Sequence, residues 1–217
     1  MRVLKQIKGL NIPSVYYISP QEWQWGTEKN GKKVIDIVSK ICAIFPEEAD
    51  FYNQLGGDAT YVGHPTIDQV NSNLCSKETL NIEIDNVENK PIFSIFPGSR
   101  QHEIQRLLPI FCEVGEYFYK KYQAKIVVSC AASQLRSMLE DWLNKYKSPF
   151  FVFEGQSLHL MQHAHVSLVT SGTVTFEHAL YGIPTVVAYQ FSPLTYWVAQ
   201  TFFKKQISRI KHMALAN

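Results

Sequence analysis

The stretch PIFSIFPGSRQHEI (Pro91–Ile104) decides the predicted fold, because it has the pattern of a strand, a turn and the start of a helix in succession. An apolar run ends at Phe96, the turn residues Pro-Gly-Ser-Arg follow, and a polar stretch then opens a helix pattern. In an open α/β sheet, ligands bind outside the carboxyl ends of the strands. The turn therefore stands where a ligand is expected.

The turn at residues 97–100 has the chemistry of an anion site. Its backbone N–H groups and the positive end of the following helix favour a phosphate. Gly98 permits a left-handed or closely approached backbone, and the Arg100 guanidinium suits bidentate pairing with phosphate oxygens. The alternative is an ordinary Pro-Gly turn with a solvated arginine, and this stretch by itself does not distinguish the two.

Short apolar runs alternate with amphipathic stretches along most of the 217 residues. Strands are predicted over residues 14–18, 41–45, 59–62, 91–96, 125–129, 150–153, 166–169 and 185–188. Helices are predicted over residues 33–39, 46–55, 101–122, 133–145, 158–162, 173–181 and 193–203. This alternation predicts an α/β protein with parallel, doubly wound sheets.

One polar segment interrupts the alternation. Residues 68–89 are rich in Asn, Asp, Glu and Ser, and they are predicted to form a linker with at most one short helix. The linker would separate a unit of residues 1–67 from a unit of residues 90–217. The first unit is expected to be incomplete, because Met1 leads almost at once into a predicted strand.

Composition and charge exclude several classes of protein. The sequence is 46% hydrophobic and 18% charged, which is typical of a globular protein, and its net charge of +2 is too small to indicate a nucleic-acid partner. The cysteines form no CxxC pair, so we expect neither a zinc site nor a disulfide framework. No apolar run has the length of a transmembrane helix, and the expected location is the cytoplasm.

A second polar turn follows a strand pattern at TSGTVTFE (Thr170–Glu177). Ser171, Gly172 and Thr173 suit a helix N-terminus that presents N–H groups to an anion. Glu177 falls one helical turn after Thr173, where its carboxylate can accept hydrogen bonds from ribose hydroxyls. Alone, this turn reads as a capped ordinary helix. Two such turns in one α/β unit together indicate a nucleotide-diphosphate site between neighbouring strand ends.

Several longer motifs occur in one order over nearly the whole chain. They are YYISPQEWQW (16–25), IFPEE (44–48), YVGHPTID (61–68), FPGSRQHEI (96–104), SGTVTFEHAL (171–180), PTVVAYQ (184–190) and PLTYWVAQ (193–200). In this order and spacing, the motifs resemble those of the lipid-A-disaccharide synthase family, which are inverting glycosyltransferases of two-domain GT-B architecture. The collinear order is more specific than any one motif.

The resemblance implies a GT-B-like fold of two Rossmann-like units. Residues 1–67 would be the C-terminal part of the acceptor-side domain, residues 68–89 a linker, and residues 90–217 the donor-binding domain without its C-terminal helices. The implied reaction transfers 2,3-diacylglucosamine from UDP to 2,3-diacylglucosamine 1-phosphate, which yields lipid A disaccharide 1-phosphate and UDP. The implied partners are therefore a UDP-linked acylated glucosamine donor and an acylated glucosamine 1-phosphate acceptor, with no cofactor and no metal.

The resemblance also assigns the donor site. The implied UDP-sugar contacts are Gly98, Ser99, Arg100, Ser171, Gly172, Thr173, Glu177, Tyr189, Gln190 and Asn217. The first turn would touch the pyrophosphate, the second would offer amides and hydroxyls to the phosphates, and Glu177 would hold the ribose. Tyr189 and Gln190 would line the donor side of the cleft. Asn217 takes the place of the asparagine in a family Leu-Pro-Asn motif, which here reads Leu-Ala-Asn.

The departures from the family pattern concern catalysis. The family begins upstream with a Gly-rich loop and acidic residues proposed for base catalysis, and it continues past the final asparagine. The chain is therefore expected to be truncated at both ends, and its general base is expected to lie outside it. His64 in the VGHP motif is the best titratable candidate within the chain, the alternative being a hinge residue with a satisfied ring.

Other functions remain open at this stage. The chain can be a UDP-sugar-binding fragment without transfer activity, or another GT-B enzyme such as a UDP-sugar epimerase, although that class lacks the SPxxWxW and VGHP motifs. Residues 196–205 mix aromatic and basic side chains. They suit peripheral contact with the inner face of the cytoplasmic membrane, or equally a packed helix whose lysines face water.

Overall fold

A computed structural model describes residues 2–190 of the chain. These residues divide into two compact units, of which the first ends at Gln69 and the second begins at Val70. Each unit contains one parallel sheet. The predicted helix at 193–203 and the aromatic and basic segment at 196–205 lie outside the described residues.

The first unit is a three-stranded parallel sheet in the order β1-β2-β3. Its elements are α1 (Arg2–Gly9), β1 (Val15–Tyr17), α2 (Glu22–Trp25), α3 (Glu28–Ile35), β2 (Lys40–Ala43), α4 (Pro46–Gln54) and β3 (Ala59–Tyr61), and α5 (Pro65–Ser72) follows them. Ile41 and Ala43 of the central strand are buried against Val34 of α3 and Tyr52 of α4. The sheet thus buries the central strand and leaves β1 half exposed, with Val15 and Tyr17 open to solvent.

Residues of two sequence motifs hold the loops of the first unit together. Glu48 is buried, and its carboxylate accepts hydrogen bonds from the Ser19 hydroxyl and from the Ile44 amide at 2.9 Å. The Tyr52 hydroxyl donates to the Pro20 carbonyl at 3.0 Å. Because a buried carboxylate requires such donors, these contacts give the SPQEW and IFPEE motifs a structural role.

The second unit is a five-stranded parallel sheet in the order β6-β5-β4-β7-β8. Its elements are α6 (Lys77–Glu83), β4 (Ile92–Phe96), α7 (Gln101–Tyr122), β5 (Lys125–Ser129), a 3-10 turn (Ser133–Leu135), α8 (Arg136–Leu143), β6 (Phe150–Phe153), α9 (Ser157–His163), β7 (Val166–Thr170), α10 (Val174–Leu180) and β8 (Thr185–Ala188). The predicted strands and most predicted helices are confirmed to within a few residues.

Both faces of this sheet are covered, so it is doubly wound. On β4, Phe93 and Ile95 enter one apolar cluster with residues of α7 and α8. Ile92 and Phe96 enter a second cluster with residues of α6 and α9. Because successive strand residues point to opposite faces, this split shows that helices pack on both sides of the sheet.

The strand order places a topological switch between β4 and β7. The chain proceeds from β4 through β5 to β6 on one side, and then crosses back to place β7 and β8 on the other side. Phe96 and Val169 are register partners, so the carboxyl ends of β4 and β7 are adjacent. Ligands of doubly wound sheets bind at such a point.

The segment predicted as a linker with at most one short helix contains the whole of α6, and the end of α5, which begins at Pro65, extends into it as far as Ser72. Ser76 caps α6 by accepting a hydrogen bond from the Thr79 amide at 3.1 Å. Leu80 and Ile84 are both fully buried in the second unit. Two apolar residues four positions apart lie on one face of a helix and are enough to pack a short helix against a core. The polar composition of the whole segment does not reveal this pair.

Two predictions fail in the first unit. The helix predicted at 33–39 is observed as α3, which starts at Glu28 because Thr27 caps it through a hydrogen bond from the Asn30 amide at 3.3 Å. The chain was also expected to enter a strand almost at once, whereas α1 precedes β1. In the first case, apolar content alone does not reveal the capping signal at Thr27. In the second, it does not reveal the short amphipathic helix α1.

Candidate functional site

A cleft of about 480 Å³ opens at the carboxyl ends of β4 and β7. It is lined by both polar turns that the sequence singled out. The predicted residues that line it are Gly98, Ser99, Arg100, Ser171, Gly172, Thr173 and Glu177. The two turns are about seventy residues apart in the chain and meet only because β7 pairs with β4. The cleft therefore forms one polar site at the switch point of the sheet.

The first turn requires a glycine at its centre. Gly98 has a φ of +110°, a backbone conformation that residues with a side chain rarely adopt. A Cβ atom placed there would also stand 3.1 Å from Oε2 of Glu103. Gly98 thus lets the backbone turn sharply at the cleft and leaves space beside the Glu103 carboxylate.

An ion pair occupies the rim of the cleft. Nη1 of Arg100 lies 2.7 Å from Oε1 of Glu103. Glu103 is three residues further along the chain, in the first turn of α7. The Arg100 side chain is 70% exposed, whereas that of Glu103 is 17% exposed. A pair whose guanidinium is largely solvated contributes little stability. The guanidinium can therefore exchange its carboxylate partner for a phosphate at small cost.

The second turn is held by hydrogen bonds at its base. The Thr175 hydroxyl donates to the Gly172 carbonyl at 2.7 Å, and the Ser171 amide donates to the Ala188 carbonyl at 3.3 Å. Gly172 itself is exposed, and no atom lies within 4 Å of the position that a Cβ would take. The turn is thus anchored at its base and open at its tip, where a ligand has access to it.

Two titratable groups follow the second turn on α10. Glu177 lines the cleft, and burial raises the pKa of its carboxyl. His178 is fully buried; its Nδ1 lies 2.7 Å from the Val174 carbonyl, and its ring packs edge-on against Phe96. Burial lowers the pKa of His178. The uncharged form of each side chain is favoured by the same desolvation.

Two of the predicted contacts do not line this cleft, and a third is not described by the structure. Tyr189 and Gln190 come directly after β8, and neither lines the cleft. Tyr189 is 48% exposed. Asn217 lies outside the described residues. The three assignments stay predictions.

The cleft also contains residues that sequence reasoning did not select. Ser129 ends β5, Ala131 follows it, Ser157 and Met161 belong to α9, and Thr170 ends β7. Ser129 and Thr170 carry a signal that sequence reasoning had available, since each is a hydroxyl residue at the carboxyl end of a predicted strand. No sequence pattern marks Ser157 and Met161, because α9 reaches the cleft only through the tertiary packing of the unit.

His64 has the contacts of a residue with a satisfied ring. Its Nδ1 accepts a hydrogen bond from the Thr66 amide at 3.2 Å, and its ring lies 5.1 Å from that of Phe45. Burial lowers its pKa. These contacts within the first unit favour the hinge alternative over the role of a general base.

Fold and cleft together define the class of the protein, which is a GT-B-like α/β protein with a Rossmann-like second unit. Solved structures of similar fold include a putative UDP-N-acetylglucosamine 2-epimerase from Listeria monocytogenes, with a TM-score of 0.60, 12% identity, and coverage of 86% of this chain and 53% of that one. The UDP-GlcNAc 2-epimerase from Methanocaldococcus jannaschii has a TM-score of 0.58 at 14% identity and covers 96% of this chain and 65% of that one. At these identities the likeness concerns the fold alone.

Sequence comparison identifies the family. The model of the lipid-A-disaccharide synthetase family matches residues 1–217. The lipid-A-disaccharide synthase of Nitrosococcus oceani is 33% identical over 100% of this chain and 54% of its own length. That of Neisseria meningitidis serogroup A is 32% identical over 99% of this chain and 55% of its own length. The chain belongs to the lipid-A-disaccharide synthetase family, and it spans about half the length of these curated relatives.

No helix within residues 2–190 is long and apolar enough to cross a membrane.

Proposed function

We propose that the chain is the donor-binding portion of a glycosyltransferase of lipid A biosynthesis. The reaction transfers 2,3-diacylglucosamine from its UDP carrier to 2,3-diacylglucosamine 1-phosphate, and it releases lipid A disaccharide 1-phosphate and UDP. The observation that carries this proposal is the meeting of two polar turns at the switch point of a doubly wound sheet, in a chain of this family.

The cleft supplies groups for each part of UDP. Arg100 is exposed on the rim and pairs with the leaving diphosphate, and Gly98 and Ser99 bring the backbone of the first turn close to it. The second turn, at residues 171–173, offers amides and hydroxyls to the same phosphates. Glu177 accepts hydrogen bonds from the ribose hydroxyls, and these replace part of the solvation that its carboxylate loses on burial.

The remaining donor contacts belong to the same proposal. Tyr189 and Gln190 follow β8 and reach the sugar side of the donor, and Asn217 binds near the sugar. We assign no general base to this chain, because His64 has a satisfied ring and the Glu103 carboxylate is paired with Arg100. The acylated sugars reach the enzyme at the inner face of the cytoplasmic membrane, where the aromatic and basic side chains of residues 196–205 suit an anionic lipid surface.

The epimerase alternative has weaker support than the synthase. The epimerase structures are 12% and 14% identical to this chain and speak for the fold alone. The curated synthases are 32% and 33% identical over almost the whole chain. The alternative of binding without transfer is decided by experiment.

Calorimetric titration of the 217-residue chain with UDP tests the donor site. We expect Arg100→Ala to weaken UDP binding by about 1.5–3 kcal/mol, roughly 10- to 150-fold, because a charge-assisted contact to the diphosphate is lost. Arg136→Ala is the matched control, since Arg136 pairs with Glu140 and Glu154 and does not line the cleft. Equal UDP affinity in the wild type and in Arg100→Ala would contradict the assignment of Arg100.

Transfer itself is tested with both acylated substrates and detection of the disaccharide 1-phosphate by mass spectrometry. Product formation by this chain supports the full reaction. UDP binding without product supports the alternative of a donor-binding portion that requires further residues for catalysis. Absence of UDP binding in the wild type would contradict the proposed function.

A further inference from the structure

One hydroxyl in the cleft has no hydrogen-bond partner among the described residues. Thr170 is 4% exposed, it lines the cleft at the end of β7, and its Oγ1 atom is buried without a partner within residues 2–190. Buried polar groups of folded proteins are nearly always paired, and an unpaired one is costly. A buried hydroxyl that is unpaired among the described residues therefore indicates a further partner, and a ligand bound in the cleft can supply it.

Neighbouring buried hydroxyls do not share this feature. Oγ of Ser167, on the same strand, lies 2.6 Å from Oγ of Ser94 on β4. The Thr175 hydroxyl donates to the Gly172 carbonyl at 2.7 Å. Atoms of the described part of the chain thus satisfy these two neighbouring hydroxyls and leave the Thr170 hydroxyl unsatisfied.

The surroundings of Thr170 indicate which group would pair with it. A Cβ atom at Gly98 would stand 3.8 Å from Cβ of Thr170, so Thr170 lies next to the turn that is proposed to hold the diphosphate. Arg100 lines the same cleft. A threonine hydroxyl is a donor that can rotate toward its acceptor, and a diphosphate offers acceptor oxygens and negative charge.

We propose that the Thr170 hydroxyl donates a hydrogen bond to a phosphate oxygen of the UDP diphosphate, between the two turns. This inference rests on the proposed function, because it assumes that the cleft binds UDP. It adds a binding residue that lies one position before the Ser-Gly-Thr turn. Since the hydroxyl has no partner within residues 2–190, its removal should weaken ligand binding without lowering the stability of the free chain.

Thr170→Val, which keeps the shape and removes the hydroxyl, tests the inference. We expect about tenfold weaker binding of UDP by calorimetry, unchanged binding of uridine, and an unfolding temperature of the free chain that is equal to or above that of the wild type. Thr170→Ser keeps the hydroxyl and is expected to retain most of the UDP affinity.

Thr185→Val is the matched control on the adjacent strand β8. The Thr185 hydroxyl donates to the Ile183 carbonyl at 2.8 Å, and Thr185 does not line the cleft. This variant should lower the unfolding temperature and leave UDP affinity unchanged, which is the opposite pattern to that expected of Thr170→Val.

Each other outcome overturns the inference. Unchanged UDP affinity in Thr170→Val would show that the hydroxyl does not contact the diphosphate. A lowered unfolding temperature like that of Thr185→Val would show that the hydroxyl already has a partner within the chain. An equal loss of UDP and uridine affinity would place the contact on the nucleoside. If the wild type fails to bind UDP, the proposed function fails as well; if the wild type binds UDP and Thr170→Val binds it equally, only this inference fails.

Discussion

The turn after β4 and the turn after β7 line the same cleft but present their chemistry differently. The first turn carries an exposed charge, Arg100, which is held by Glu103 at the start of the 22-residue helix α7. The second turn has no charged residue at its tip and leads into α10, whose Glu177 and His178 are partly or fully buried. The first turn thus offers the solvated charge of Arg100. The second offers neutral hydrogen-bond donors, and the partly buried Glu177 carboxylate follows them on α10.

This difference indicates that the two turns of a switch-point site make different contributions to binding. A solvated guanidinium can leave its partner and follow an anion at little cost, since exposed ion pairs are weak. Buried groups cannot rearrange in that way, so their positions and protonation are decided when the chain folds. We infer that the first turn contributes attraction to the diphosphate and that the second contributes position.

The largest difference between the two turns is expected in the free energy of unfolding when the glycine of each turn is replaced by alanine. Gly98→Ala forces a side chain onto a backbone with a φ of +110° and places its Cβ 3.1 Å from Oε2 of Glu103. We expect a loss of about 1–3 kcal/mol in the free energy of unfolding, measured by urea denaturation, together with weaker UDP binding.

Gly172→Ala is the matched substitution in the second turn. Gly172 is not among the glycines with positive φ, and no atom lies within 4 Å of its Cβ position. We expect its free energy of unfolding to change by less than about 1 kcal/mol. If both alanine variants lose similar stability, the conformational contrast between the turns is wrong.

An intermediate effect is expected from Glu177→Gln. The pKa of the Glu177 carboxyl is raised by burial from its ordinary value of 4.5, so the folded chain binds more protons than the unfolded chain as the pH rises above that value. The stability of the wild type relative to the variant should therefore fall as the pH rises through this window. Because the carboxylate keeps part of its solvent contact, we expect the variant to unfold only about 2 °C higher at pH 8.

The same variant should bind UDP less tightly, because an amide is a poorer acceptor for ribose hydroxyls than a carboxylate. Thermal unfolding at pH 4 and pH 8 measures the first effect, and calorimetry at pH 8 measures the second. A stability difference that is the same at both pH values would contradict the role of desolvation.

The smallest effect is expected from Glu103→Gln, which releases Arg100 and removes a negative charge from the rim of the cleft. We expect UDP to bind about twofold to threefold more tightly at low salt, with the gain reduced at high salt by screening. Calorimetry at two ionic strengths checks this. Weaker UDP binding in this variant would show instead that Glu103 positions Arg100 for the ligand.

Local patterns account for much of the fold and for part of the site. The apolar runs ending at Phe96 and Val169 predicted two strands that the structure shows as neighbours, and the amphipathic stretch Gln101–Tyr122 predicted α7 with the bounds that the structure shows. The position of α6 was not predicted, because the helix is stabilised by Leu80 and Ile84, whose side chains enter a core formed by segments distant in the chain. Ser76 supplies a local capping signal for this helix, but its burial was decided by the tertiary structure.

What the sequence by itself determined is the set of local elements and the two polar turns, because turn chemistry and apolar periodicity act over a few neighbouring residues. It also determined the family, through motifs in one collinear order. Only the tertiary structure decided that β7 pairs with β4 and that the Thr170 hydroxyl is buried without a partner within residues 2–190. Strand order and burial depend on contacts between residues far apart in the chain, and no local pattern specifies them.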